Sequence, residues 1–115
     1  MILGLDVSTS ITGATILDKD GKMIYNELWD TRNKNKFPTV IDKAKLIQEQ
    51  LQNIKNVMQI TPSHIYIEEP FTFFNSGGSS ARTMATLQRF NGIVSWICAD
   101  VFGLLPELIM ATTAR

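Results

Sequence analysis

Between Val40 and Met58 the apolar residues are Val40, Ile41, Ala44, Ile47, Leu51, Ile54, Val57 and Met58. Steps of three and four dominate, which predicts one stripe of an amphipathic helix. Leu46 widens the stripe on one side, while Asp42, Lys43, Lys45, Glu49 and Lys55 take the wetter positions. Pro38 suits the first turn, and Thr61-Pro62-Ser63 breaks the pattern. A helix of this kind needs a surface to receive its stripe. The flanking residues must supply that surface.

The flanks read as strands. Ile2 to Val7 is a short apolar run, and Thr12 to Leu17 is rich in β-branched residues. Asp18-Lys19-Asp20-Gly21 is a turn signal in which Gly21 can take a positive φ. Lys22 to Leu28 then alternates roughly between polar and apolar, completing a three-stranded antiparallel meander. After the helix, His64 to Pro70 is a strand closed by proline. Phe71 to Ser80 is a loop with three phenylalanines and a Gly77-Gly78-Ser79-Ser80 hinge. Ser79 or Ser80 can cap a second helix over about Ala81–Phe102, which Gly103 ends and Pro106 follows. Glu107 to Ala111 is a last short strand.

The order is βββ-α-β-α-β, an α/β chain. Right-handed crossovers allow the fourth strand to lie parallel to the first, giving a mixed sheet with helices on its faces. One more helix after the last strand is expected to cover the sheet, and the sequence does not contain it. The 115 residues bound one domain. Eleven Lys+Arg balance eleven Asp+Glu, which excludes a strongly basic nucleic-acid module as a description of the whole chain, though not a local basic patch. One cysteine excludes an internal disulfide and points to a reducing compartment. No apolar run reaches the roughly 18–20 residues that cross a bilayer, and no signal peptide is visible, so the chain reads as cytoplasmic with no membrane partner.

The strongest constellation is Asp6 with Glu68. Each ends a strand, and the proposed topology makes those strands adjacent. Carboxylates that meet at neighbouring strand tips repel, and a divalent cation removes the conflict. Hard oxygen ligands suit Mg²⁺ or Mn²⁺. Two such ions about 3.5–4 Å apart can activate water and stabilise the leaving oxygen in phosphodiester cleavage. Glu69 falls on the opposite face from Glu68, and by pattern alone either glutamate can be the ligand. Phe71, Phe73 and Phe74 offer faces that stack on unpaired bases for about 1–3 kcal/mol each. Arg82 and Arg89 on the second helix can contact phosphate, Arg82 near the helix N-terminus. Lys34 and Lys36, with Arg32, offer a second backbone contact.

These residues resemble a known family. Ile2-Leu3-Gly4-Leu5-Asp6-Val7-Ser8 is similar to the first strand of the ribonuclease H-like superfamily. With Thr12-Gly13 and Tyr66-Ile67-Glu68-Glu69-Pro70-Phe71, the chain most resembles RuvC-type Holliday junction resolvases, of a phage or viral branch. The resemblance spans essentially the whole chain by order of elements, but its specific motifs are two short strands. It implies a metal-dependent endonuclease acting on four-way DNA junctions as a two-fold dimer. By position it makes Asp6 and Glu68 the metal ligands and catalytic carboxylates, which selects Glu68 over Glu69. It implies base contact by Phe71, with Phe73 or Phe74 as substitutes. Family members carry further acidic ligands on a final helix. Here the only acids after Glu69 are Asp100 and Glu107, neither in the right place. The chain is therefore expected to be a C-terminally incomplete fragment, weak in metal binding and in cleavage.

The second helix is apolar around most of its circumference, more than packing on a sheet requires, so a further partner is expected on it: the absent helix or a second subunit. Gly92 is expected to permit close helix approach, Cys98 to be a buried thiol, and His64 to lie at the surface. A nucleotide-binding sugar-kinase or actin-like ATPase shares the Leu3–Ser10 pattern and the Asp-Gly turn, but needs two domains. Ribonuclease H proper and a non-catalytic dimerisation domain of the same fold are the other rivals.

Overall fold

The computed structural model describes residues 1–69 and 80–110, with the side chains of Glu69, Ser80 and Met110 left aside. The elements run β1 (Ile2–Asp6), β2 (Ile11–Leu17), β3 (Met23–Asp30), α1 (Val40–Asn56), β4 (His64–Glu69), α2 (Ser80–Phe102) and β5 (Glu107–Met110). The expected βββ-α-β-α-β order is the observed one. The sheet order is β3-β2-β1-β4-β5. The first three strands are antiparallel neighbours, and β4 joins β1 in parallel with Leu5 opposite Ile67.

The pleat sorts each strand's residues onto two faces. On one face Leu3, Leu5, Ala14, Ile16, Ile65 and Ile67 are buried beneath both helices. Helix α1 contributes Ala44, Ile47, Leu51 and Ile54, and α2 contributes Phe90, Val94, Ile97, Cys98 and Val101. Burial pushes the Cys98 thiol up to about 12, so it is a core group rather than a nucleophile. On the other face lie Gly4, Asp6, Gly13, Thr15, Tyr66 and Glu68, with Leu28 at 72% exposure. Among the described residues no helix covers that face.

Two local expectations are corrected. Helix α1 stops at Asn56, before the Thr61-Pro62-Ser63 breaker: Val57 caps it through Asn53, the Ile60 amide returns to the Ile54 carbonyl, and Gln59 takes φ 58°. Val57 is therefore 73% exposed and, with Met58, leaves the apolar stripe; Ile41, though inside the helix, is also exposed. Strand β3 runs on to Asp30, because Trp29 is buried opposite Thr12 and Asp30 pairs with Ile11. Gly92 is exposed on α2, and among the described residues no atom lies near the space a side chain would take. Gly21 (φ 81°) and Gly103 (φ 67°) hold the positive φ expected of a turn and a helix end.

Candidate functional site

Asp6 ends β1 and pairs with Gly13 on β2. On the other side, the Leu5–Ile67 pair extends by one residue to set Asp6 abreast of Glu68. Both carboxylates line one pocket of about 340 Å³ on the uncovered face, together with Gly4, Gly13, Thr15 and Tyr66. The two glycines keep its floor low. A methyl group at Gly13 would lie 3.9 Å from the Asp6 Cβ and 3.6 Å from the Leu28 Cδ2. Asp6 is exposed and Glu68 half-buried. The Glu68 main-chain carbonyl accepts from Asn91 Nδ2 at 3.5 Å, a buried α2 side chain that reaches the strand tip.

Glu107, across from Tyr66 on β5, shares this face of the sheet. It accepts the Tyr66 hydroxyl, and its charge, foremost, pushes the Tyr66 pKa up. The third acid near the pocket is thus engaged one step away from it. Among the described residues no cluster of three potential metal-ligating side chains forms. Two carboxylates suit a hard dication that keeps several waters, and hold it weakly.

The turn after Asp6 is strapped from three directions. Thr12 Oγ1, fully buried, donates to the Ser8 carbonyl at 3.0 Å. Thr31 Oγ1, also buried, reaches the Thr9 and Ser10 carbonyls at 3.2 and 3.1 Å. Lys43 Nζ, from the first turns of α1, donates to the Thr9 carbonyl as well. Sequence reasoning missed Thr31 and Lys43 here. Their partners lie 21 to 34 positions away, and no local pattern announces such contacts.

The basic residues are placed unequally. Arg32 forms a two-pronged pair with Asp30, Nη2 to Oδ2 at 2.7 Å and Nε to Oδ1 at 3.0 Å, and its charge is locally matched. Lys36 lines a hollow beside that pair. Lys34 turns instead to a second cleft with Lys43 and Thr9. Arg82 and Arg89 are exposed on α2, seven residues apart and so on one side of the helix. Phe71, Phe73 and Phe74 lie outside the described residues. His64 is exposed, and its ring stacks on Tyr66 at 6.3 Å between centroids.

No protein-family model and no curated protein matches the chain. Solved structures do. Thermus thermophilus RuvC in complex with a Holliday junction substrate superposes with a TM-score of 0.72 at 12% identity, over 96% of this chain and 64% of that one. A second Thermus thermophilus RuvC structure gives 0.63 at 13% identity, over 95% and 63%. The Aquifex aeolicus PPX-GPPA enzyme gives 0.50 at 15% identity, over 95% and 35%. At these identities the likeness concerns the fold: a five-stranded mixed sheet with two helices, of the RuvC and ribonuclease H-like type. The chain spans less than two thirds of the RuvC chains it matches.

Proposed function

We propose that this chain is the body of a metal-dependent endonuclease that resolves four-way DNA junctions by phosphodiester hydrolysis. The observation that carries the reading is the shared pocket of Asp6 and Glu68 at the tips of adjoining parallel strands. Its fold, like that of a RuvC bound to a Holliday junction substrate, supports the choice of branched DNA.

Asp6 and Glu68 are the catalytic carboxylates and would hold Mg²⁺ or Mn²⁺. When bound, such an ion supplies activation of water and stabilisation of the leaving oxygen. The carboxylates concentrate negative charge at one point of the sheet, which repels a phosphate chain until a cation balances it. Positive side chains must therefore hold the DNA at a distance from that point. Arg82 and Arg89 on α2, with Lys34 and Lys36 on the β3–α1 loop, take that part, and Phe71, Phe73 and Phe74 stack on bases opened at the junction. We take residues 1–115 as one domain of a longer nuclease, cytoplasmic and homodimeric through α2. Trp96, 61% exposed on that helix, supports a partner there. The described residues contain no helix long and apolar enough to cross a membrane.

A gel-shift comparison of a four-way junction with a duplex of the same arms tests the reading. Marked preference for the junction is expected; equal affinity sinks it.

A further inference from the structure

The cleft that Lys34 shares with Lys43 is not absorbed by the catalytic pocket. It opens on the helix side of the β1–β2 turn, between that turn and the first turns of α1 and α2. Its volume is about 540 Å³, and Thr9, Lys34, Phe37, Thr39, Lys43 and Thr86 line it. None of the described residues lining it is acidic.

The two lysines differ in kind. Lys34 is an exposed loop cation. Lys43 is half-buried, and its amine is anchored on the Thr9 carbonyl. An ammonium has three donors, so the anchor fixes its direction and leaves two for a ligand. A carbonyl does not neutralise it, unlike the carboxylate that matches Arg32. The nearest acid in sequence, Asp42, turns its carboxylate to the Thr39 amide and hydroxyl. Pre-ordering lowers the entropy cost of gripping an anion. Arg82 and Arg89 stand four residues before and three after Thr86, on the same side of α2. The cleft thus holds two cations of its own and adjoins the side of α2 that carries Arg82 and Arg89.

We propose that this cleft seats a nucleic-acid backbone, Lys34 and Lys43 holding phosphate and the Thr9 and Thr86 hydroxyls bordering the contact. The inference rests on the nucleic-acid reading above and adds a second grip to it. The β1–β2 turn separates this grip from the Asp6–Glu68 pocket. Through Thr9 the lysine that holds phosphate also braces the turn that follows Asp6, so backbone seating and carboxylate placement share one support.

The test is fluorescence anisotropy of labelled duplex and four-way junction, without divalent metal, over a series of salt concentrations. Each lysine–phosphate contact steepens the dependence of log affinity on log salt by about 0.9. The Lys34→Gln/Lys43→Gln double variant is expected to flatten the slope by nearly two contacts on both DNAs. Lys34→Gln alone, in an exposed loop, is expected to flatten it by one even where Lys43→Gln lowers stability. Lys19→Gln/Lys22→Gln, at the opposite end of the sheet, makes the same net-charge change and is expected to leave the slope alone. Wild-type slopes in the first two variants, an equal change in the Lys19/Lys22 control, or no DNA binding by the wild type each overturns the cleft. A flattened slope with equal affinity for junction and duplex keeps the cleft and discards the junction reading. Junction preference with unflattened slopes does the reverse.

Discussion

Asp6 and Glu68 stand abreast on β1 and β4, one step beyond the Leu5–Ile67 pair, and open into the same pocket. Parallel pairing is what makes this possible: both strands point the same way, so their last side chains arrive at one edge. Had β4 run antiparallel to β1, Glu68 would lie beside the start of β1. In the Asp6→Asn and Glu68→Gln variants, Mn²⁺ affinity followed by electron paramagnetic resonance is expected to fall by more than the roughly 10–100-fold that outer-shell changes cost. Without metal, Asp6→Asn removes a like charge, so its melting temperature should equal or exceed that of the wild type. Retained Mn²⁺ binding in both variants would mean the ion sits elsewhere.

Gly13 sets the depth of the pocket. Valine there projects toward Asp6 and Leu28, while a β-branched residue suits a strand better than glycine does. Gly13→Val is therefore expected to keep or raise the thermal midpoint and to weaken Mn²⁺ binding. A variant that loses both would make Gly13 a packing residue instead.

Asp30 carries a pH signature. Its hydrogen bonds from the Arg32 side chain, then from the Arg32 amide, lower its pKa from 3.8 to about 2. A depressed carboxylate adds stability above its unfolded pKa, and that contribution is lost as pH falls through about 2. The pair is exposed, so its effect on overall stability is small. The measurable effect is local. An NMR titration should place the Asp30 midpoint near 2, and Arg32→Gln should move it up toward 3.8, short of the full distance because the residue 32 amide still donates. An unmoved midpoint would assign the shift to another neighbour.

The elements were legible because each carries its own period. The helical stripe through Ala44, Ile47, Leu51 and Ile54 needs only residues a few positions apart, and so does the pleat through Ile65 and Ile67. The juxtaposition of Asp6 with Glu68 followed from topology, since a helix between two strands favours parallel neighbours. What stayed hidden depends on the third dimension. Val57 continues the stripe, yet the chain must turn there to begin β4, so the helix ends and Val57 faces solvent. Lys34 and Lys36 read as one basic loop, but the backbone between them sends one to the Lys43 cleft and the other to the Asp30–Arg32 hollow. Lys43 reads as a wet helix position, and its bond to Thr9 exists only because α1 begins beside the β1–β2 turn.

Thr31 separates bracing from stability. Its hydroxyl is buried and donates to the Thr9 and Ser10 carbonyls, the last two of the four residues that carry the chain from Asp6 into β2. Thr31→Val keeps the shape and deletes the donor. Neither carbonyl is orphaned: Thr9 keeps Lys43, and Ser10 keeps the residue 31 amide at 2.8 Å. The loss should therefore stay near the net worth of one hydrogen bond, about 1 kcal/mol by urea unfolding, below what an orphaned buried group costs. The turn, however, loses its side-chain link to the end of β3 and keeps Lys43, Thr12 and the residue 31 amide. Amide exchange across residues 8–12 is then expected to quicken by more than the fall in global stability accounts for. Exchange that quickens only in step with global unfolding would show that Thr12, Lys43 and the residue 31 amide hold the turn without the hydroxyl.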